Sequence, residues 1–206
     1  MKLVSTPRIE FLRTLATEIL HNYSHGRTVI AVDGTDGAGR AAFADDLAAV
    51  LREDDRHVFR ASLYYFQHPR AERERLARDL PVVSSSDPDE SLYRVGYDYS
   101  ALRRVLVEPF RLGGSTGFVT AEFDPDRDIW IQPTWHTAPA DAMLLIDGAY
   151  SNRPELHGLW LYSVLLENAG DSAIRYLRDV HPRDIVSAVV DTTNPHTPRR
   201  VLTDRC

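Results

Sequence analysis

The sequence has 206 residues, of which 43% are hydrophobic and 26% charged, which excludes a largely disordered chain and predicts a single domain around one core. Its formal net charge of -6 gives no global attraction to nucleic acid or to an anionic membrane. No apolar run approaches the roughly 20 residues that cross a bilayer, and Met1–Phe11 lacks the apolar stretch of a signal peptide. We therefore expect a cytoplasmic protein that binds neither nucleic acid nor membranes.

Residue counts also limit which disulfides, metal sites and catalytic groups the chain can have. The single cysteine, Cys206, excludes an intramolecular disulfide and a cysteine-rich zinc site. Lys2 is the only lysine among 24 basic residues, so any mechanism that needs another lysine is excluded. The eight histidines are not accompanied by a cysteine pair, and no dedicated metal site is predicted.

The first predicted elements are a helix, a strand and a second helix. Hydrophobic residues recur at helical spacing over residues 7–24, and Gly26 follows them. The β-branched run Thr28–Val32 predicts a buried strand, which ends at the glycine-rich segment Asp33–Gly39. An amphipathic pattern then predicts a helix as far as Arg52.

The rest of the chain alternates buried strands with helices. Strands are predicted at His57–Ser62, Ala142–Ile146, Leu161–Leu166 and Ile185–Val190, and helices at Arg70–Arg78, Ala101–Phe110 and Asp171–Val180. Further predictions are a loop at Pro81–Pro88 and an antiparallel hairpin of Phe118–Phe123 with Asp128–Gln132. This order predicts an α/β fold of three layers, with a mainly parallel sheet and a small antiparallel hairpin insertion. We expect one domain with an N-terminal helix (1–24), a core (25–195) and a tail (196–206).

A strand, a glycine-rich turn and a helix in succession are the architecture of a phosphate-binding loop. Glycines let backbone N–H groups curve around an anion at the helix N-terminus. The pattern G-x-x-x-x-G-K-[ST] matches this chain at both glycines, but arginine replaces the lysine and alanine replaces the hydroxyl residue. The predicted cofactor-binding positions are Gly34, Asp36, Gly37, Ala38, Gly39, Arg40 and Ala41. By itself, the pattern fits an ordinary strand-to-helix turn equally well.

Five segments carry a wider resemblance. They are Thr28–Arg40, Arg60–Arg73, Tyr97–Arg104, Leu144–Leu156 and Val189–Pro195. In order and spacing they resemble the successive blocks of actinobacterial uridine kinase-like P-loop proteins, over about residues 25–195. The resemblance implies a P-loop nucleoside-kinase-like fold, ATP and magnesium as cofactors, and a nucleoside or similar hydroxyl compound as the phosphate acceptor.

The resemblance also indicates which catalytic parts are replaced. Arg40 and Ala41 stand where the family has its loop lysine and its magnesium-binding hydroxyl residue. Tyr64 and Tyr65 stand where it has an acidic pair, and a tyrosine with a pKa near 10 is a poor base at neutral pH. The family's lid is shortened to Glu167–Arg183. If each of three replacements costs about 2–3 kcal/mol, the rate falls by about 10⁴ to 10⁶, and ATP and magnesium would be weakly bound or lost.

Several positions allow both a functional and a purely structural interpretation. Asp147, which ends a buried strand, either holds a metal ion through water or caps the next turn. Asp98 either contacts an acceptor hydroxyl or caps the helix that begins near Ser100. Asn194 lies either near an adenine pocket or in an ordinary Asn-Pro turn. The candidate catalytic residues are Asp147, Asp98, Tyr64 and Tyr65, and the candidate acceptor-side residues, which could equally be exposed loop positions, are His68, Arg70 and Tyr97.

We therefore favour a divergent uridine kinase-like protein that has lost efficient phosphoryl transfer. Its inherited cleft would bind a nucleoside, a nucleotide or another small molecule, or would serve a different reaction on such a molecule. One alternative is a working kinase in which Arg40 replaces the lysine and Asp147 carries magnesium. Another is a protein-interaction module with a vestigial pocket and an exposed hairpin at Phe118–Gln132; a homodimer is compatible with each. The three tryptophans are expected to pack in the core or the hairpin. An Arg40 side chain folded into the glycine loop would argue against the working kinase.

Overall fold

The computed structural model of the chain describes residues 2–23, 25–35, 37–78, 88–168 and 174–202. The helices are α1 Pro7–Asn22, α2 Gly37–Glu53, α3 Arg70–Arg78, α4 Pro88–Val95, α5 Tyr99–Ala101, α6 Glu108–Leu112, α7 Ile174–Val180 and α8 Pro182–Ile185. The strands are β1 Thr28–Asp33, β2 Val58–Ser62, β3 Phe123–Asp124, β4 Ile129–Trp130, β5 Met143–Asp147, β6 Tyr162–Glu167, β7 Ala188–Asp191 and β8 Arg199–Val201.

Six of these strands form one sheet in the order β2-β5-β1-β6-β7-β8. The strands from β2 to β7 in this order pair in parallel, while β8 pairs antiparallel with β7. Because parallel strands end at the same edge, Asp33 of β1, Ser62 of β2 and Asp147 of β5 all lie at the carboxyl edge of the sheet. Open α/β sheets bind their ligands at this edge.

Helices cover both faces of the sheet. On one face, Leu12 of α1 and Leu47 of α2 pack with Ile30 of β1 in one buried cluster. On the other face, the helical segment from residue 99 to residue 112 brings Leu102 and Phe110 against the sheet. The predicted three-layer α/β fold is therefore confirmed, as is the first helix, which Thr6 caps by accepting a hydrogen bond from the N–H of Ile9.

The predicted helix Ala101–Phe110 is longer than expected and contains a wider turn. Between α5 and α6 the chain forms a π-helical segment, Leu102–Val107. Pro109 explains it, because proline has no N–H to donate to the carbonyl of Val105 and its ring crowds that carbonyl. The Val105 carbonyl instead accepts a hydrogen bond from the N–H of Val119 at 3.0 Å.

The predicted antiparallel hairpin is present, but its paired segments are shorter than predicted. Antiparallel pairing joins Phe123 to Trp130 and Asp124 to Ile129, and Phe118 forms an isolated bridge with His136. The first arm does not continue as a strand, because the N–H of Val119 bonds to the neighbouring helix. Of the tryptophans expected in the core or the hairpin, Trp130 lies edge-on against the Phe123 ring in the hairpin, although it is 61% exposed, and Trp135 is 64% exposed.

Four other predictions need correction or lie partly outside the described residues. The predicted tail contains strand β8, whose charged residues Arg199 and Arg200 gave no alternating apolar signal. Ile185 ends helix α8 instead of starting a strand, because Pro182 favours the first turn of a helix. Of the predicted loop Pro81–Pro88, residues 81–87 lie outside the described residues, as do residues 171–173 of the last predicted helix. Among the described helices, none is long and apolar enough to cross a bilayer.

Gly148 connects β5 to the loop that follows and lies directly against Leu63. A Cβ at Gly148 would come within 2.2 Å of Leu63 Cδ1 and 2.6 Å of its Cβ. We expect Gly148→Ala to lower the free energy of unfolding by about 1–3 kcal/mol in urea denaturation, because overpacking a buried position displaces the backbone. Gly37→Ala is the control, since its Cβ would approach no atom closer than the Arg40 side chain at 3.9 Å. Equal losses in the two variants would contradict this packing.

Candidate functional site

The glycine-rich loop connects β1 to α2 at the carboxyl edge of the sheet. Gly34 follows Asp33, and α2 begins at Gly37. A Cβ at Gly34 would lie 3.2 Å from both Cβ and the carbonyl oxygen of Leu166, so the loop passes too close to β6 for an easily accommodated side chain. The predicted loop residue Asp36 lies outside the described residues, and Ala38 is described in its backbone only.

The Arg40 side chain folds back across this loop. It is 8% exposed, and its guanidinium donates a hydrogen bond to the carbonyl oxygen of Gly34. Its Nε lies 3.4 Å from Oδ2 of Asp147. The positive charge that a phosphate-binding loop would present to an anion is therefore directed at a carboxylate of the protein itself.

Asp147 is buried and holds partners on both carboxylate oxygens. Arg60 donates to Oδ1 at 2.8 Å, and the Ser62 hydroxyl donates to Oδ2 at 3.1 Å. Together with Arg40, two guanidinium groups face this one carboxylate. Asp147 thus forms an ion-pair network, which neither of its two sequence interpretations anticipated.

This arrangement fits magnesium poorly. A divalent cation beside Asp147 would meet two arginine charges, and Ala41 at the start of α2 has no hydroxyl to offer it. In the described parts of the chain, no three His, Cys, Asp or Glu side chains converge on a metal-sized site. His21 and His25 are four residues apart, but α1 ends at Asn22, so the helix does not bring them together.

Asp33, at the end of β1, is a second buried carboxylate beside the loop. Its oxygens accept hydrogen bonds from the N–H of Gly34 at 2.8 Å, from Nδ2 of Asn152 at 2.7 Å and from the hydroxyl of Tyr176. Burial raises the pKa of Asp33, while these hydrogen bonds and the Arg40 charge act in the opposite direction. The phosphate side of the edge is thus occupied by the protein's own polar groups.

Two chain segments carry residues that the sequence predicts for the acceptor side. Gln67 pairs with Tyr97, the N–H of His68 bonds to the Gly96 carbonyl at 2.9 Å, and the N–H of Asp98 bonds to the Phe66 carbonyl at 2.8 Å. The structure therefore brings the predicted residues His68, Tyr97 and Asp98 together with the turn Leu63–Phe66, which carries Tyr64 and Tyr65.

The individual side chains on this side have definite partners. The Tyr64 hydroxyl donates to Asp126, which raises the pKa of Tyr64 to about 12 and makes it a weaker acid than free tyrosine. Tyr65 is 39% exposed and meets the Tyr64 ring edge-on at 5.4 Å. Asp98 caps helix α5 by accepting from the N–H of Ala101 at 2.8 Å. Tyr97 is buried, which raises its pKa.

Two further predicted residues lie in other surroundings. Arg70 lines a cavity of about 310 Å³ between α3 and α4, together with Arg73 and Leu92. Asn194 lies in the turn after β7, two strands away from β1, where its side chain accepts a hydrogen bond from the N–H of His196 at 3.0 Å.

No family model matches the sequence, and no curated protein matches it. Solved structures do match. A possible uridine kinase from Bacillus stearothermophilus has a TM-score of 0.68 and 21% identity, with 88% of this chain and 96% of that chain covered.

Two further solved structures are similar at lower scores. A candidate fructose transport system kinase from Silicibacter sp. TM1040 has a TM-score of 0.57 and 22% identity, covering 76% of this chain and 74% of that one. A D-glycerate 3-kinase from Cryptococcus neoformans var. grubii has a TM-score of 0.51 and 11% identity, covering 78% and 73%. The fold is that of a uridine kinase-like P-loop kinase. The resemblance predicted from the sequence is confirmed at the level of the fold.

Within this P-loop kinase fold, sequence reasoning missed four residues that bond to the two buried carboxylates beside the loop, Asp147 and Asp33. They are Arg60, Ser62, Asn152 and Tyr176. Arg60 was detectable, because an arginine inside a predicted buried strand needs an acidic partner. Nothing in the sequence pattern distinguished the other three.

A fifth missed residue, Glu122, lies beside the turn that carries Tyr64 and Tyr65. Its N–H bonds to the carbonyl of Tyr65 at 3.2 Å, and its carboxylate lies 3.7 Å from Arg104. Burial raises the pKa of Glu122, Arg104 lowers it, and the nearby charge of Asp98 raises it further. Glu122 and Asp98 therefore place two interacting acids beside the tyrosine turn.

Removing the Asp147 carboxylate tests the ion-pair network. We expect Asp147→Asn to lower the free energy of unfolding by about 3–5 kcal/mol, because Arg40 and Arg60 would lose their shared counter-charge. Arg40→Ala should cost clearly less, since Asp147 keeps Arg60 and Ser62. Urea denaturation measures both, and Arg75→Ala, in an exposed pair with Glu72, serves as the control with little expected change. An Asp147→Asn loss no larger than that of Arg75→Ala would contradict the network.

Proposed function

We propose that this chain is a divergent uridine kinase-like P-loop protein in which phosphoryl transfer is lost or strongly weakened. In this proposal the inherited cleft binds a nucleoside, a nucleotide or another small molecule. The observation that carries the proposal is the Arg40 guanidinium, which bonds to the Gly34 carbonyl inside the loop and pairs with Asp147.

Phosphoryl transfer depends on positioning and on neutralising the charge of the transferred group with cations. Here the cation of the loop is paired internally, and the carboxylate that would carry magnesium is paired with two arginines. A triphosphate would have to break these contacts before it could use them. The ATP and magnesium that the fold suggests are therefore proposed to bind weakly or not at all.

The acceptor side supports binding of a small aromatic or hydroxyl-bearing molecule. Tyr65 presents a partly exposed ring, on which a flat heterocycle can stack. Asp98 and Glu122 flank the same turn, through backbone bonds to the consecutive carbonyls of Phe66 and Tyr65. Carboxylates accept hydrogen bonds from hydroxyl groups, so this set of side chains suits a nucleoside.

A second candidate function, a protein-interaction module, is favoured by the exposed hairpin. Ile129, Trp130 and Trp135 expose large apolar side chains to solvent. Such side chains are often covered by a partner when they form a patch. This function does not need the cleft, so ligand binding discriminates between the two proposals.

Phosphoryl transfer is tested with ATP, magnesium and a panel of nucleosides. P-loop-type and other kinases commonly turn over at about 1–100 s⁻¹, and a loss of about 10⁴ or more places this chain at or below about 10⁻² s⁻¹. The variant Arg40→Lys/Ala41→Thr/Tyr65→Asp restores the replaced parts and is expected to be faster than the unmodified chain. Rapid magnesium-dependent formation of a phosphorylated nucleoside by the unmodified chain would refute the proposal.

Binding is tested by calorimetric titration with uridine, UMP and ATP. We expect heat of binding with at least one of these ligands, and a Tyr65→Ala variant about three- to tenfold weaker, because a lost aromatic contact is worth about 0.5–1.5 kcal/mol. Trp135→Ala, which removes an exposed ring from the hairpin, is the control and should keep the affinity. No binding of any of the three ligands, with a protein partner recovered through the hairpin, would favour the interaction module instead.

A further inference from the structure

The cavity of about 310 Å³ between helices α3 and α4 has a built lining. From α3, Arg70, Arg73 and Ala77 line it, and their spacing of three and four residues places them on one face of the helix. From α4, Ser91 and Leu92 line it. Small-molecule sites in proteins have volumes of roughly 300–1,000 Å³, so this cavity suits a small ligand.

The charged residues of this lining favour an anion. Arg70 and Arg73 contribute two guanidinium groups, and Glu74 contributes one carboxylate, so these three side chains carry a net positive charge. A guanidinium presents a planar set of N–H donors that bonds to phosphate oxygens in pairs. The Glu74 carboxylate disfavours a ligand with a large negative charge, because like charges repel at short range. The lining therefore suits one phosphate group better than a polyphosphate.

Arg73 is held in position by a buried side chain. Its Nη1 donates a hydrogen bond to Oε1 of Gln67 at 2.8 Å, and Gln67 is only 6% exposed. Gln67 is fixed in turn by its β-bridge to Tyr97. This bond uses one of the five N–H donors that a guanidinium carries. An arginine that is already anchored loses less conformational entropy when it binds an anion, which favours binding.

The start of α3 is fixed by the hairpin. The N–H of Arg70 donates to Oδ1 of Asp128 at 2.8 Å, so the first turn of the helix is bonded to the turn between β3 and β4. Elsewhere on the same helix, Arg75 forms an ion pair with Glu72. The arginines of α3 thus differ in their surroundings: Arg70 and Arg73 line the cavity, whereas Arg75 pairs with a neighbouring acid on the helix surface.

We propose that the cavity between α3 and α4 binds a small phosphomonoester that also carries hydroxyl groups. Arg70 and Arg73 bind its phosphate. Glu74 accepts hydrogen bonds from its hydroxyl groups, and the Ser91 hydroxyl donates to them or accepts from them. Leu92 adds apolar surface for a short carbon chain. This site goes beyond the proposed function, because it uses neither the glycine loop nor the ring of Tyr65.

Calorimetric titration of the full-length chain with glycerol 3-phosphate tests this site. We expect saturable binding of glycerol 3-phosphate and no binding of glycerol, which lacks the phosphate. Arg70→Gln and Arg73→Gln should each weaken the affinity about ten- to a hundredfold, as for loss of a hydrogen bond between charged groups. Arg75→Gln is the matched control, because it removes the same charge from the same helix. Its affinity should stay within about twofold, since salt screens an exposed charge outside the cavity.

Arg70→Gln is the decisive variant, because it leaves the bond between Arg73 and Gln67 in place, and urea denaturation checks that it is folded. Three results would overturn the site: no binding of glycerol 3-phosphate, equal binding of glycerol, or the same affinity in Arg70→Gln as in Arg75→Gln. A parallel titration with uridine keeps the two proposals apart. Failure of uridine to bind counts against the proposed function, whereas glycerol 3-phosphate and the arginine variants decide the cavity.

Discussion

The buried pair of Arg40 and Asp147 is the interaction on which the rest of the site depends. Neither charge could remain at the carboxyl edge of the sheet without a partner, because an isolated buried charge is strongly unfavourable. Since Asp147 lies beside Ser62 in the register of β2 with β5, Arg60 on β2 also reaches the same carboxylate. The Arg40 side chain of α2 is consequently held across the loop by a carboxylate of the sheet.

Arginine suits this closed arrangement better than lysine would. Its planar guanidinium presents several N–H donors, and Arg40 uses them for the Gly34 carbonyl and the Asp147 carboxylate together. Alanine at position 41 adds no group that would attract a metal ion. The replacements at positions 40 and 41 therefore act in the same direction. Both favour a loop whose positive charge is paired with Asp147 over a loop that presents this charge to a phosphate.

The two sides of the cleft differ in how they are occupied. Beside the glycine loop, the carboxylate oxygens of Asp33 and Asp147 already accept hydrogen bonds from other groups of the protein. On the acceptor side, Tyr65 stays partly exposed and two acids lie beside the turn that carries it. In the function that we propose, the exposed ring of Tyr65 serves as the binding surface, while the protein's own side chains fill the phosphate side.

The fold class, and the absence of a lysine at position 40 and of a hydroxyl residue at position 41, follow from the sequence alone. Apolar strands that alternate with helices predict a parallel sheet, and a missing lysine or hydroxyl is visible without coordinates. The direction of the Arg40 side chain and the groups that it contacts are visible only in the folded chain. Arg60 lies 87 residues from Asp147 along the chain, and Tyr176 lies 143 residues from Asp33. Side-chain direction and pairing depend on such distant contacts, which local periodicity does not encode.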